Sequence, residues 1–140
     1  MYPTKVKGLA PISTVVSGRL SLDSTKYKGN DLLKQWKESG WKIEKSTSQP
    51  GLIKKLKWSH MEDRLKYDVL PNAKKLTMPV LLIVGDQDEM TPLEHQVLLF
   101  NALPGKKEMH IIECAPHTFK DQKHLAEIKI IMKKWIEKNK

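Results

Sequence analysis

Two side chains in this sequence are placed to do acid–base chemistry together. An apolar run, Pro79-Val80-Leu81-Leu82-Ile83-Val84, opens onto Gly85-Asp86-Gln87-Asp88, and a later apolar run opens onto Ala115-Pro116-His117. A buried strand ending in an acid, followed by a strand ending in a histidine, can deliver both groups to one end of a parallel sheet. Adjacent parallel strands lie about 5 Å apart, so a carboxylate and an imidazole carried there come within hydrogen-bonding reach. That pairing suits the acid–base half of a nucleophilic triad: a carboxylate orients an imidazole, which takes a proton from the nucleophile. Each residue alone has a plainer reading. Asp86 or Asp88 could simply tighten the turn before the next helix, and a histidine after a strand is commonly structural or solvated.

The nucleophile such a pair would serve has no evident source. No Gly-x-Ser-x-Gly elbow occurs in the sequence. Ser13 follows a strand end but lacks the flanking glycines of a tight elbow. Cys114 is expected to pack as a small apolar side chain. No metal site is expected: His95, His110 and His124 are scattered, and Cys114 with His117 lacks further ligands at suitable spacing. Gly8 and Gly85 make no phosphate loop, and no cofactor is expected.

The positioning elements follow from periodicity. Val80 to Val84 is a leucine and β-branched run of the kind buried on both faces of a parallel sheet. Thr91-Pro92-Leu93-Glu94 supplies an N-cap, a proline at the first helical position and a capping glutamate. That helix is expected to carry Val97, Leu98 and Phe100 and to stop at Pro104-Gly105. A strand around Met109, Ile111 and Ile112 follows. The last helix starts near Asp121, with Leu125, Ile128, Met132, Trp135 and Ile136 on one face. Earlier, Val6 to Ile12 reads as a strand and Ser13 to Tyr27 as loop. Asn30 caps a helix with Leu32, Leu33 and Trp36, ended by Gly40. Residues 41–45 and 52–58 form a hairpin around Gln49-Pro50-Gly51, and Ser59-x-x-Glu62 opens a helix carrying Leu65 and Val69. Strand, helix, strand, helix with short links is the pattern of an α/β fold with about three parallel strands. Residues 1–140 are expected to form one domain, with 14–78 as a mixed surface segment.

The stretch Met78 to Lys138 resembles the C-terminal third of the α/β-hydrolase superfamily, near the serine-aminopeptidase and dienelactone-hydrolase-like esterases. The features that carry the resemblance are the apolar strand, Gly85-Asp86-Gln87-Asp88 before Pro92, and Ala115-Pro116-His117-Thr118-Phe119 before an amphipathic helix. It implies that the acid is Asp88, three residues after the glycine, rather than Asp86, and that the base is His117. It also implies that Val6 to Ile12 matches the strand following the nucleophile helix, and that 14–78 stands where such enzymes insert a lid or cap. The serine elbow and the oxyanion-hole loop have no counterpart. The expected function is hydrolysis of a carboxylic ester, with an amide or peptide as the second choice, by a Ser-His-Asp mechanism in the complete enzyme. The alternative is a non-catalytic, truncated relative acting as an interaction or oligomerisation module.

Composition narrows the partners. The net charge is +9, from 25 Lys and Arg against 16 Asp and Glu. The lysines are dispersed, and Arg19 and Arg64 are the only arginines, so a solvated surface is expected rather than nucleic-acid recognition. No apolar stretch approaches the length of a membrane span, and residues 1–5 precede no apolar leader core. A single cysteine fits a reducing compartment, and a cytoplasmic location is expected. The apolar Val6–Ile12 strand would leave an open edge, so self-association or pairing with a missing N-terminal segment is expected. The tryptophans are read as core or lid packing.

Overall fold

The computed structural model describes residues 6–24, 26–46 and 49–140. Residues 1–5, on which the expectation of no leader rests, lie outside the described residues.

The helix expected after Asn30 is α1, Leu32–Ser39, and its boundaries have local causes. Asn30 Oδ1 accepts the Leu32 N–H at 3.0 Å, and Gly40 ends the helix with φ 73°, a left-handed conformation that glycine adopts without strain. Strands β1 (Trp41–Lys45) and β2 (Ile53–Lys57) form the expected antiparallel hairpin, with Trp41 opposite Lys57 and Lys45 opposite Ile53. Helix α2 is Ser59–Arg64, shorter than expected: Leu65 is its C-cap, and Val69 lies beyond it, before a 3-10 turn at Leu70–Lys75. The capping box does not form, because Trp58 occupies the N-cap and no side chain caps the helix. Tyr27, Trp36 and Met61 make a small core of their own, with Trp58 edge-on to Trp36 at 5.4 Å between ring centroids.

Of residues 13–27, expected as loop, 13–24 are more ordered than their Ser-rich composition suggests. Gly18 N–H donates to Tyr67 O and Val69 N–H to Val16 O, so 16–18 pair with 67–69, and a 3-10 turn follows at Leu20–Asp23. Val16, Ser17, Ser21 and Ser24 are buried. The hydroxyls are tolerated there because Ser21 Oγ donates to Ser17 O and Ser24 Oγ to Ser21 O.

Strands β3 (Val80–Gln87) and β4 (Lys107–Pro116) pair in parallel and carry the site. Side chains of β3 alternate between two cores. Val80 and Leu82 join Leu76, Met78, Leu99 and Leu103 on one side. Leu81 and Ile83 join Ile112, Ala115, Ile128 and Trp135 on the other. A strand covered on both faces needs the unbroken apolar run that β3 has. Residues 9–13 are the third parallel member, bonded to β3 through Leu9 N–H to Pro79 O, Leu81 N–H to Leu9 O, Ile83 N–H to Pro11 O and Ser13 N–H to Ile83 O. Pro11 has no N–H to donate, so the pairing reduces to isolated bridges at Leu9 and Ile12 rather than a continuous strand. Among the described residues, the outer edge of this segment has no strand partner.

Helix α3, Leu93–Ala102, runs through Val97, Leu98 and Phe100 as expected and buries His95, Gln96 and Leu99, with Val97 and Phe100 partly buried and Leu98 exposed. Helix α4, Gln122–Lys138, begins where expected, and Asp121 caps it, its Oδ1 accepting the Lys123 N–H at 2.8 Å. Ile128 and Trp135 are its buried residues, while Leu125 and Ile136 are exposed at the margins of the expected stripe.

The register of β3 on β4 breaks once. Gly85 lies opposite Ile112, but Gln87 lies opposite Pro116, so β4 carries extra residues at Glu113–Ala115. Cys114 sits inside this bulge with φ 54°, a left-handed conformation uncommon for a side-chain-bearing residue. Gly85 is required here: a Cβ at that position would lie 2.0 Å from the Ala115 carbonyl oxygen. Replacing Gly85 with Ala should lower unfolding stability in urea by about 3 kcal/mol, the upper end of overpacking costs. An unchanged midpoint would show that the two strands do not approach this closely.

Candidate functional site

The bulge decides which residue faces Asp88. With the register of Gly85 and Ile112 continued, Asp88 would lie opposite Ala115; after the break, the next residue beyond Pro116, His117, stands beside it. Asp86, one of the two aspartates that could have been the acid, holds the bulge instead. Its Oδ1 accepts the Ala115 N–H at 3.2 Å, and its side chain lies on the exposed rim.

The two residues singled out by sequence do meet. His117 Nδ1 lies 3.1 Å from Asp88 Oδ1 and 3.0 Å from Oδ2. The Asp88 side chain is fully buried, whereas that of His117 is 41% exposed, so the imidazole alone of the pair is open to a reacting group. An ionised carboxylate is only an acceptor, so Nδ1 must carry the proton and donate it to Asp88. That tautomer leaves Nε2 with the basic lone pair.

Asp88 also accepts the Met90 and Thr91 N–H groups at 2.9 and 2.8 Å, and Thr91 Oγ1 donates to Oδ2 at 2.7 Å. The Thr91 hydroxyl was expected to cap α3. It holds the acid instead, and Pro92 occupies the N-cap with no side-chain cap. Thr91 Oγ1 is also 3.4 Å from His117 Nδ1, which closes a three-residue cluster. Gln96, buried at the start of α3, donates from Nε2 to Thr14 O at 2.8 Å and to Thr91 O at 3.4 Å, tying the acid's loop to the chain after residue 13. Neither Thr91 nor Gln96 was found by sequence reasoning as a site residue. The close spacing Asp-x-x-Thr was a usable signal, but it was equally a capping pattern.

Burial pushes the Asp88 carboxyl upward, but the His117 contact, the Thr91 N–H and the Thr91 hydroxyl together outweigh it, holding the acid far below its ordinary value. Ser13 adds the weakest of these interactions. Its buried hydroxyl completes no hydrogen bond of good geometry, and its backbone is left-handed at φ 45°. Ser13 therefore lies behind the acid, and no strand-to-helix elbow is built on it.

The other candidates are apart from this cluster. Cys114 is exposed on the bulge, not packed as expected, because the left-handed turn carries it away from the core. Among the described residues, no three His, Cys, Asp or Glu side chains converge. Of the tryptophans, Trp36 and Trp135 are buried, but Trp41 is 43% exposed, with Lys57 Nζ over its ring at 5.3 Å. Among the described residues, no helix is long and apolar enough to cross a membrane.

A profile of the family described as PhoPQ-activated pathogenicity-related protein matches residues 30–140. No curated protein matches. Among solved structures, the chain is similar to alpha/beta hydrolase domain-containing protein 10 from mouse, with 18% identity and a TM-score of 0.71, covering 98% of this chain and 54% of that one. It is similar to a Paleococcus ferrophilus monoacylglycerol lipase at 18% identity and TM-score 0.71, covering 99% of this chain and 61% of that one. It is also similar to Est1E from Butyrivibrio proteoclasticus, in a structure with ferulic acid bound, at 19% identity and TM-score 0.68, covering 99% and 53% of the respective chains. The chain thus spans about half to three fifths of the structures it matches. It has the fold of the C-terminal part of an α/β hydrolase.

The ordinary value of the Asp88 carboxyl is 3.8 and its folded value is lower. Its contribution to stability is therefore complete above that ordinary value and is lost as pH falls towards the depressed folded one. The chain should lose on the order of 2 kcal/mol of stability from this group on acidification below about pH 4. Asp88→Asn should remove that part of the pH dependence in denaturant titrations; an identical acid slope in the variant would contradict it.

Proposed function

We propose that this chain, which belongs to the PhoPQ-activated pathogenicity-related protein family, supplies the acid and the general base of a Ser-His-Asp hydrolase acting on a carboxylic ester, or less favourably an amide. The observation that carries this reading is the contact of a fully buried carboxylate with Nδ1 of a partly exposed imidazole.

In the reaction, His117 Nε2 takes the proton of the serine hydroxyl as its oxygen attacks the carbonyl carbon. The imidazolium then passes that proton to the departing alcohol or amine, leaving an acyl-enzyme. In the second half His117 deprotonates water, which attacks the acyl carbon, and returns the proton to the serine. Asp88 holds the Nδ1–H tautomer and stabilises the imidazolium without itself being protonated. The depressed pKa of Asp88, held down by His117 and Thr91, favours this division of labour. The nucleophile and the oxyanion-hole donors belong to the part of the fold that precedes Val6. The unpartnered edge of residues 9–13 is where that part would pair; in its absence the same edge favours self-association. Residues 14–78 act as the lid or cap. The single cysteine fits a reducing, cytoplasmic setting.

A fluorophosphonate probe should leave the isolated 140 residues unlabelled. A polypeptide that carries the preceding half of the fold should label stoichiometrically on its serine. In that polypeptide His117→Ala and Asp88→Asn should each lower kcat/KM by about 10³–10⁴-fold. Labelling of the 140 residues alone, or full activity in either variant, would overturn the assignment. Absence of both labelling and activity in the longer polypeptide would favour a non-catalytic interaction module.

A further inference from the structure

Beside His117 the structure holds a second feature that the acid–base pair does not use. A cavity of about 390 Å³ runs between the catalytic loops and the segment from Lys26 to Arg64, with His117, Thr118 and Met90 on one side. Its size is that of a site for a small organic ligand. The lining is mixed. Tyr27, Trp36 and Met61, all buried, make an apolar floor. Around them stand Lys26, Lys42, Lys45, Lys54 and Arg64, against a single carboxylate, Glu44.

The cations are not mutually neutralised. Glu44 is shared, lying 2.8 Å from Lys42 Nζ and 3.7 Å from Lys26 Nζ. Lys42 Nζ stands over the Tyr27 and Trp36 rings at 5.8 and 5.6 Å, so its charge is held at the aromatic floor. Burial and the neighbouring Lys42 charge push Lys26 below the ordinary lysine value, in spite of Glu44. Arg64 Nε is buried and has no hydrogen-bond partner among the described residues. Most lysines of this chain are dispersed over solvated surface; here they converge on one concavity.

We propose that this cavity is the substrate subsite and binds an oxyanion: the ester turned over at His117 carries a carboxylate or phosphate on an aromatic or apolar body. The inference rests on the hydrolase reading for the word substrate, but not for the anion site itself. The apolar body stacks on Trp36 and Tyr27. The oxyanion lies among Lys42, Lys54 and Arg64, where it relieves the crowding of like charges. A guanidinium suits either carboxylate or phosphate oxygens.

Binding is measured on the 140-residue chain by nuclear magnetic resonance, following the Trp36 indole N–H and the His117 ring while benzoate, phenyl phosphate or uncharged benzamide is added. The expected result is saturable shifts with the anions, at least tenfold tighter than with benzamide and weakened by added salt. The tighter of benzoate and phenyl phosphate identifies the carboxylate or the phosphate as the preferred group. Arg64→Gln and Lys54→Glu should each weaken anion binding at least fivefold. Lys54 is exposed on β2, so its variant keeps the test valid should Arg64→Gln fail to fold. Equal affinity for benzamide, absent shifts, or unchanged binding in the folded variants would overturn the site. Anion preference that survives Asp88→Asn supports it. Serine labelling of the longer polypeptide without anion preference here would overturn this inference and leave the hydrolase reading standing. The reverse pair of results would leave an anion site and remove the hydrolase.

Discussion

The arrangement depends on one local misfit between two strands. Parallel ladders advance residue for residue, yet β3 and β4 do not between Gly85 and Gln87. The extra residues on β4 oblige Cys114 to a left-handed backbone and bring the Ala115 carbonyl against Gly85, where no side chain fits. Asp86 stabilises the distortion by accepting the freed Ala115 N–H. A bulge at a strand end is a common device for re-aiming a side chain. Here it exchanges Ala115 for His117 as the neighbour of Asp88. Glycine and the first aspartate of Gly85-Asp86-Gln87-Asp88 thus shape the backbone, and the last aspartate meets the imidazole.

A second constraint is electrostatic. An ionised carboxylate with no exposed surface is costly unless hydrogen bonds replace water. Asp88 receives two backbone N–H groups, a hydroxyl and an imidazole N–H, enough to hold it ionised despite burial. The arrangement is paid for in helix capping: Thr91 serves the acid, and α3 begins with no side-chain cap. Gln96 then supports the same loop from the first turn of the helix.

The segment between the third parallel member and β3 has a different logic. It has its own small core around Trp36 and Met61, and it keeps the β1–β2 hairpin largely exposed. A lysine-lined cavity of this segment has His117 in its wall. In this way a piece that adds little to the main sheet supplies a wall and a charge pattern beside the His117 imidazole.

Much of this was legible in the chain itself. The unbroken run Val80–Val84 reads as a strand covered on both faces, and Gly40 ends its helix in the left-handed conformation. The turn at Gln49-Pro50-Gly51 joins the hairpin, and Asp88 and His117 read as partners. These are determined locally, by side-chain periodicity and by the backbone freedom of single residues. Other features required segments far apart in sequence to touch. The bulge needs Gly85 against Ala115. The diversion of Thr91 needs a carboxylate with no water around it. The buried face of α3 is set by the cores it meets, not by its own pattern, and Cys114 points outward because its backbone is bent by a neighbouring strand. Sequence alone could name Asp88 and His117 as candidate partners. Only the packed sheet, by shifting one strand against the other, decided that they meet.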